Sequence, residues 1–72
     1  MMADIYPMNC YLLNHDLSAY PPFHPDRREV VPAGVRIIVA HWDHSETDSL
    51  IEWDRRTLLV DKDSLISFTV PI

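Results

Sequence analysis

The longest run of residues that favour β-structure is Val35–Trp42, and it predicts the central strand of the fold. Four of its eight residues are β-branched, which restricts them in a helix but suits the pleated surface of a sheet. Pro32 and Gly34 precede the run and predict a turn that leads into it. Both faces of this strand are largely apolar, so we expect both to be covered, as in a sandwich or a barrel wall.

Four further runs have the length and composition of short strands. They are Met8–Asn14, Ser49–Trp53, Thr57–Val60 and Leu65–Val70. The first run contains residues that also permit a short helix, whereas the last alternates and predicts a strand. We expect the second of these runs to pair with the central strand.

Polar segments separate the predicted strands. The run that begins at Asp43 has no apolar side chain over several residues and predicts a connecting loop. Asp54–Arg56 predicts a tight turn, although it lacks the Gly that two-residue hairpins favour. Asp61–Ser64 interrupts the chain again, and Ser64 is a candidate cap for a single helical turn.

Prolines set apart the region between the first strand and the central strand. We predict residues 14 to 32 to be one long ordered loop and residues 1 to 7 to be an N-terminal arm. Within the loop, Tyr20–Pro25 could be a recognition element that docks on a partner, or a lid on the core. We favour the lid, with Tyr20 and Phe23 packed down, because a small domain gains from extra buried aromatic area.

Five short strands and one long Pro-rich loop predict an all-β fold, either a small five-stranded SH3-like barrel or a rolled antiparallel sheet. The plan resembles that of SH3-like barrels at the level of fold alone, and no binding motif of peptide-binding SH3 domains is present. A length of 72 residues predicts a single domain, residues 1 to 72. The predicted core residues are Leu12, Val35, Ile37, Val39, Ile51, Trp53, Leu58, Val60, Leu65 and Phe68.

Composition and charge narrow the functional classes. A net charge of −5 disfavours binding to nucleic acid or to an anionic membrane, because both need a basic surface. No apolar run has the length needed to span a membrane. The single cysteine, Cys10, excludes an internal disulfide and favours a reducing, cytoplasmic location.

His41 and His44, at the end of the central strand, are the clearest candidate metal ligands. A metal site needs three or four ligands, however, and the other candidates are scattered, so we favour a solvent-exposed strand end with two ordinary histidines. Cys10 lies in an apolar run, which is more typical of a buried thiol than of a nucleophile. With a single Gly and a short chain, we expect neither a catalytic site nor a cofactor.

These observations favour a small non-enzymatic interaction module that acts through a protein partner or through self-association as a homo-oligomer. Exposed edge strands would serve as templates for pairing. The candidate contact residues are aromatic or basic: Tyr20, Phe23, Arg27, Arg28, Trp42, Arg55 and Arg56. The alternatives are a nucleic-acid-binding small β-barrel, which would use the same basic and aromatic side chains, and a metal-binding regulatory protein that uses His41 and His44.

Overall fold

A computed structural model describes residues 9–72 and contains seven strands and one helix. In chain order they are β1 (Cys10–Leu13), β2 (Leu17–Tyr20), β3 (Glu29–Val31), β4 (Arg36–His41), β5 (Asp48–Trp53), β6 (Arg56–Asp61), α1 (Lys62–Phe68) and β7 (Thr69–Pro71). All neighbouring strands are antiparallel, and they form one sheet in the order β3-β2-β6-β5-β4-β1-β7. The sheet curls into a half-barrel, so the mostly β prediction is confirmed and the count of five strands is wrong. No helix within residues 9–72 is long and apolar enough to cross a membrane.

The predicted central strand forms as β4 and pairs with β5 as expected, with Val39 opposite Ile51. The register shifts between Val39 and His41, where the strand contains a bulge or irregularity. Ile37 and Val39 are buried on the inner face, but Ile38 on the outer face is 36% exposed. The expectation that both faces are covered is therefore wrong, because an antiparallel sheet can leave one face to solvent.

The predicted long loop over residues 14 to 32 is wrong, because this region contains the hairpin of β2 and β3. The prolines are confined to its connection, residues 21–28, and to Pro32 after β3. Leu17, Ala19 and Val31 from this hairpin are buried in the core. Strands of three and four residues are too short for an alternating pattern to be recognised in a proline-rich segment. Pairing with neighbouring strands is nevertheless enough to stabilise them as strands.

The predicted strand Leu65–Val70 is also wrong, because helix α1 occupies most of it and β7 begins only at Thr69. The Asp61 carboxylate accepts a hydrogen bond from the Ser64 N–H at 2.9 Å, which caps the helix. Ser64 is therefore the capped residue and not the cap that we predicted. At the other end, the Thr69 hydroxyl donates to the Leu65 carbonyl at 2.7 Å.

The first predicted strand is confirmed over Cys10–Leu13, which excludes a helix there. β1 lies between β4 and β7, and Leu12 is opposite Arg36 on one side and Val70 on the other. This register puts Leu12 on the outer face and sends Leu13 into the core, so the choice of Leu12 as a core residue is wrong. The predicted arm at residues 1 to 7 lies outside the described residues.

The core lies on the inner face of the curled sheet and beneath α1. Six predicted core residues are buried: Ile37, Val39, Ile51, Leu58, Val60 and Leu65. Val35, Trp53 and Phe68 pack against this cluster but are only partly buried. The prediction missed Leu13, Leu17, Ala19, Val31, Ser49 and Leu59.

Helix α1 provides a matched pair of substitutions that tests how the inner face is covered. Leu65→Ala should lower the free energy of unfolding by about 2–5 kcal/mol, because Leu65 is fully buried. Ile66→Ala, one residue further along, should change it by less than about 0.5 kcal/mol, since Ile66 is 59% exposed. Urea unfolding followed by circular dichroism would measure both, and equal losses would contradict the packing described.

The predicted tight turn is confirmed as a two-residue hairpin that joins β5 to β6, with Trp53 opposite Arg56. Its central residues, Asp54 and Arg55, have positive φ values of 54° and 61°. This conformation suits a twisted hairpin but costs non-glycine residues about 1 kcal/mol or more each.

Relieving this strain should stabilise the protein. We expect Arg55→Gly to raise the free energy of unfolding by about 1 kcal/mol, because glycine adopts positive φ without a steric penalty. Arg55→Ala removes the same side chain and keeps the penalty, so it should give no gain. Thermal unfolding of the two variants would separate the effect of backbone conformation from that of charge.

Candidate interaction surface

The connection between β2 and β3, residues 21–28, consists of two consecutive β-turns; we call it the 21–28 loop. The His24 N–H donates to the Pro21 carbonyl at 3.0 Å, and the Arg27 N–H donates to the His24 carbonyl at 3.0 Å. Pro22 and Pro25 occupy the second position of each turn, where the fixed φ of proline matches the turn geometry. The loop is therefore held in shape by its own sequence.

Phe23 lies at the third position of the first turn, and its side chain is 90% exposed. The lid that we favoured from the sequence is wrong for this residue, since its ring does not pack on the core. The core cluster consists of aliphatic side chains from the strands and from α1, and Phe23 is not among the residues packed against it. A rigid turn therefore presents a bare phenyl ring to solvent.

Tyr20 anchors the beginning of the 21–28 loop on the outer face of the sheet. It is half-buried, its hydroxyl donates to the Asp48 carboxylate at 2.9 Å, and Arg28 lies 4.9 Å above its ring. The hydrogen bond to Asp48 raises the pKa of the Tyr20 hydroxyl above the ordinary value of 10.0, and desolvation adds to this. The expectation that Tyr20 packs down is thus met in part.

Glu29 and Arg56 anchor the end of the loop. The Arg56 guanidinium donates two hydrogen bonds to the Glu29 carboxylate, at 2.5 and 2.7 Å, and it lies 5.7 Å from the Trp53 ring. This bidentate pair lowers the pKa of Glu29 and raises that of Arg56. Its contribution to stability is present above the ordinary Glu pKa of 4.5 and is lost as the pH falls through the lowered value.

The remaining predicted contact residues lie in different places. Arg27 is exposed on the 21–28 loop, and Arg55 is exposed on the β5–β6 turn. Trp42 follows β4 and packs against the core, with its ring edge-on to Tyr11 at a centroid distance of 5.4 Å. Tertiary structure therefore joins Tyr20, Arg28 and Arg56 in the support of one loop and assigns Trp42 to the core.

His41 ends β4 and His44 lies in the loop that follows, and both are exposed. Within residues 9–72, no group of three or more His, Cys, Asp and Glu side chains could hold a metal ion. His41 and His44 thus remain a pair of possible ligands without a third. Cys10 is half-buried on the outer face of the sheet.

A shallow depression of about 280 Å³ lies mainly on the outer face of the sheet, and we call it the outer groove. It crosses β1, β4 and β5, where Cys10 is opposite Ile38 and Ile38 is opposite Glu52. Its full lining is Cys10, Arg36, Ile38, Glu52, Trp53, Asp54 and Arg55. Sequence reasoning found only Arg55 among these contacts, although the polar Arg36 and Glu52 in otherwise apolar strands indicate an open face.

Comparison of the chain with protein-family models, curated proteins and solved structures gave no match. The case for a function therefore depends on the geometry of the described residues.

The Tyr20 anchor predicts a measurable ionisation. In Asp48→Ala, the pKa of Tyr20 should fall back towards 10.0, because the carboxylate that holds the hydroxyl proton is gone. Tyrosinate absorbance during an alkaline titration would measure this, with Tyr20→Phe to assign the signal. Asp48→Asn, which keeps an acceptor oxygen without the charge, should give an intermediate value.

The raised pKa of Tyr20 makes the stability of the fold depend on pH in the alkaline range. Because the folded-state pKa is raised, the contribution of this anchor is complete below pH 10.0 and is lost as the pH rises through the folded-state pKa. A titration in which native protein and Asp48→Ala are indistinguishable would contradict the anchor.

Proposed function

We propose that this chain is a small non-enzymatic interaction module, which binds a protein partner or a second copy of itself through the 21–28 loop. The observation that carries the proposal is the 90% exposure of Phe23 on a loop fixed by two turns and anchored at both ends. The single Cys10 is in keeping with action in a reducing cytoplasm.

The physical argument is one of preorganisation. Contact of an exposed phenyl ring with water is unfavourable, and burial of the ring in a partner would lower the free energy. Aromatic side chains contribute much of the binding energy of many interfaces. A loop already held in one conformation loses little entropy when it binds. The flanking Arg27 is exposed and supplies a charge that could orient the partner.

The charge distribution supports a protein partner over nucleic acid. Two of the candidate arginines are already engaged, Arg28 over Tyr20 and Arg56 on Glu29. The net charge of −5 would repel a phosphate backbone, and the basic groups left over do not form a continuous stripe. Metal-dependent regulation through His41 and His44 would need a third ligand from elsewhere.

Site-specific photo-cross-linking tests this function. A photoreactive phenylalanine at position 23 should give an adduct of discrete mass in cells that express the chain, because the ring would be buried in the complex. The same group at position 66, which is also exposed and apolar but lies on α1, is the matched control and should give none.

An adduct that contains either another protein or a second copy of the chain would support the function. No adduct at position 23, or equal labelling at both positions, would overturn it.

A further inference from the structure

The chain carries both a projecting aromatic side chain and a surface depression that could receive one. Phe23 is 90% exposed and is not part of the lining of the outer groove. The groove and the loop lie at the same end of the sheet, because Arg56 on the β5–β6 turn bonds Glu29 at the end of the loop. The adjacent turn residues, Asp54 and Arg55, line the groove.

We propose that the outer groove is the binding site for Phe23 of a second copy of this chain. The inference rests on the proposed function and names the partner: each copy would insert its Phe23 into the groove of the other.

Size and polarity fit a phenyl ring. A cavity of about 150 Å³ lined by apolar side chains already accepts benzene, and the outer groove measures about 280 Å³. On the outer face its apolar lining is Cys10 and Ile38, and Ile38 is 36% exposed on a face that the described structure leaves uncovered. Insertion of the ring would therefore remove apolar surface from water on both partners.

Charges around the two surfaces are complementary. The groove is lined by two basic side chains, Arg36 and Arg55, and by two acidic ones, Glu52 and Asp54. The loop carries one charge of each sign close to Phe23: Asp26 is acidic and Arg27 is basic.

None of these six groups takes part in an ion pair within residues 9–72, where the two pairs are Arg56 with Glu29 and Lys62 with Asp43. Asp26 could therefore pair with Arg36 or Arg55 of the second copy, and Arg27 with Glu52 or Asp54. The next copy would supply the counter-charges that residues 9–72 of the same chain do not provide.

Symmetry favours a closed dimer over a filament. Because every copy has both the ring and the groove at one end of the sheet, a twofold axis allows two identical contacts at once. Two rings and a few charged groups bury less surface than a standard stable interface, so the dimer should be weak and its population should depend on concentration.

Sedimentation equilibrium of the full chain tests the inference. The native protein should show a reversible monomer–dimer equilibrium at concentrations up to about 1 mM. Phe23→Ala should weaken dimerisation at least about tenfold, because it removes the buried ring from both contacts. Ile66→Ala, which removes an exposed apolar side chain from α1, should leave the equilibrium unchanged.

Mixing two variants tests the arrangement itself. Phe23→Ala has an intact groove and no ring, whereas Ile38→Lys has an intact ring and a blocked groove. Their mixture should associate more tightly than either variant alone but more weakly than the native protein, because it retains a single contact. Should Ile38→Lys disturb the sheet by circular dichroism, Arg55→Glu on the exposed turn replaces it as the groove variant.

Failure of the inference is distinguishable from failure of the proposed function. A chain that stays monomeric up to about 1 mM, or a native dimer whose affinity Phe23→Ala leaves unchanged, overturns the inference. A cross-link from position 23 to a different protein would then leave the proposed function intact. The absence of any cross-link at that position would overturn both.

Discussion

The structure depends on how one short helix covers the inner face of an open, curled sheet. Leu65 is the fully buried residue of α1, and it joins a cluster contributed by six of the seven strands. Within residues 9–72 no second sheet covers the apolar inner face, so the side chains of α1 help to close the core. The Asp61 cap and the Thr69 hydroxyl fix both ends of the helix and so set where Leu65 points.

In the part of the chain that the structure describes, no strand pairs with the outer edges of β3 and β7, and several side chains of the outer face are exposed. The edge at β7 is protected by its sequence. Asn14 donates its N–H to the Phe68 carbonyl, and by the alternation of antiparallel bonding Thr69 and Pro71 direct their backbone groups away from β1. Because Pro71 has no N–H, this edge offers few donors to another chain, and specific association is better served by side chains than by strand addition.

Rigidity and exposure at the 21–28 loop have a common cause. The side chains that hold the loop, Tyr20 and Glu29, are strand residues whose partners, Asp48 and Arg56, come from β5 and β6. The central part of the sheet thus fixes a surface feature at its periphery. Phe23 remains 90% exposed, because the contacts that support the loop are polar and lie at its two ends.

The sequence by itself determined the β character of the chain, the central pair of strands and the tight turn at Asp54–Arg55, because these depend on local alternation and local breakers. It could not determine the face on which Leu12 and Leu13 lie, since adjacent leucines satisfy either register until pairing with β4 selects one. The Leu65–Val70 segment has an alternating pattern that favours a strand. It forms a helix because Asp61 caps the first turn and because Leu65 can then pack into the core beneath the sheet.

The candidate surface shows the same division. The sequence singled out Tyr20, Phe23 and the arginines by type, but not which of them would support the loop and which would remain free. That assignment required Asp48 and Arg56, which are 28 and 27 residues away along the chain from Tyr20 and Glu29. The polar Arg36 and Glu52 indicate an open face, but the sequence does not reveal the outer groove, which forms because β1 lies beside β4, and β4 beside β5, in the sheet. Local physics determined the elements and the rigid turns, and tertiary pairing decided which side chains were buried and which remained exposed.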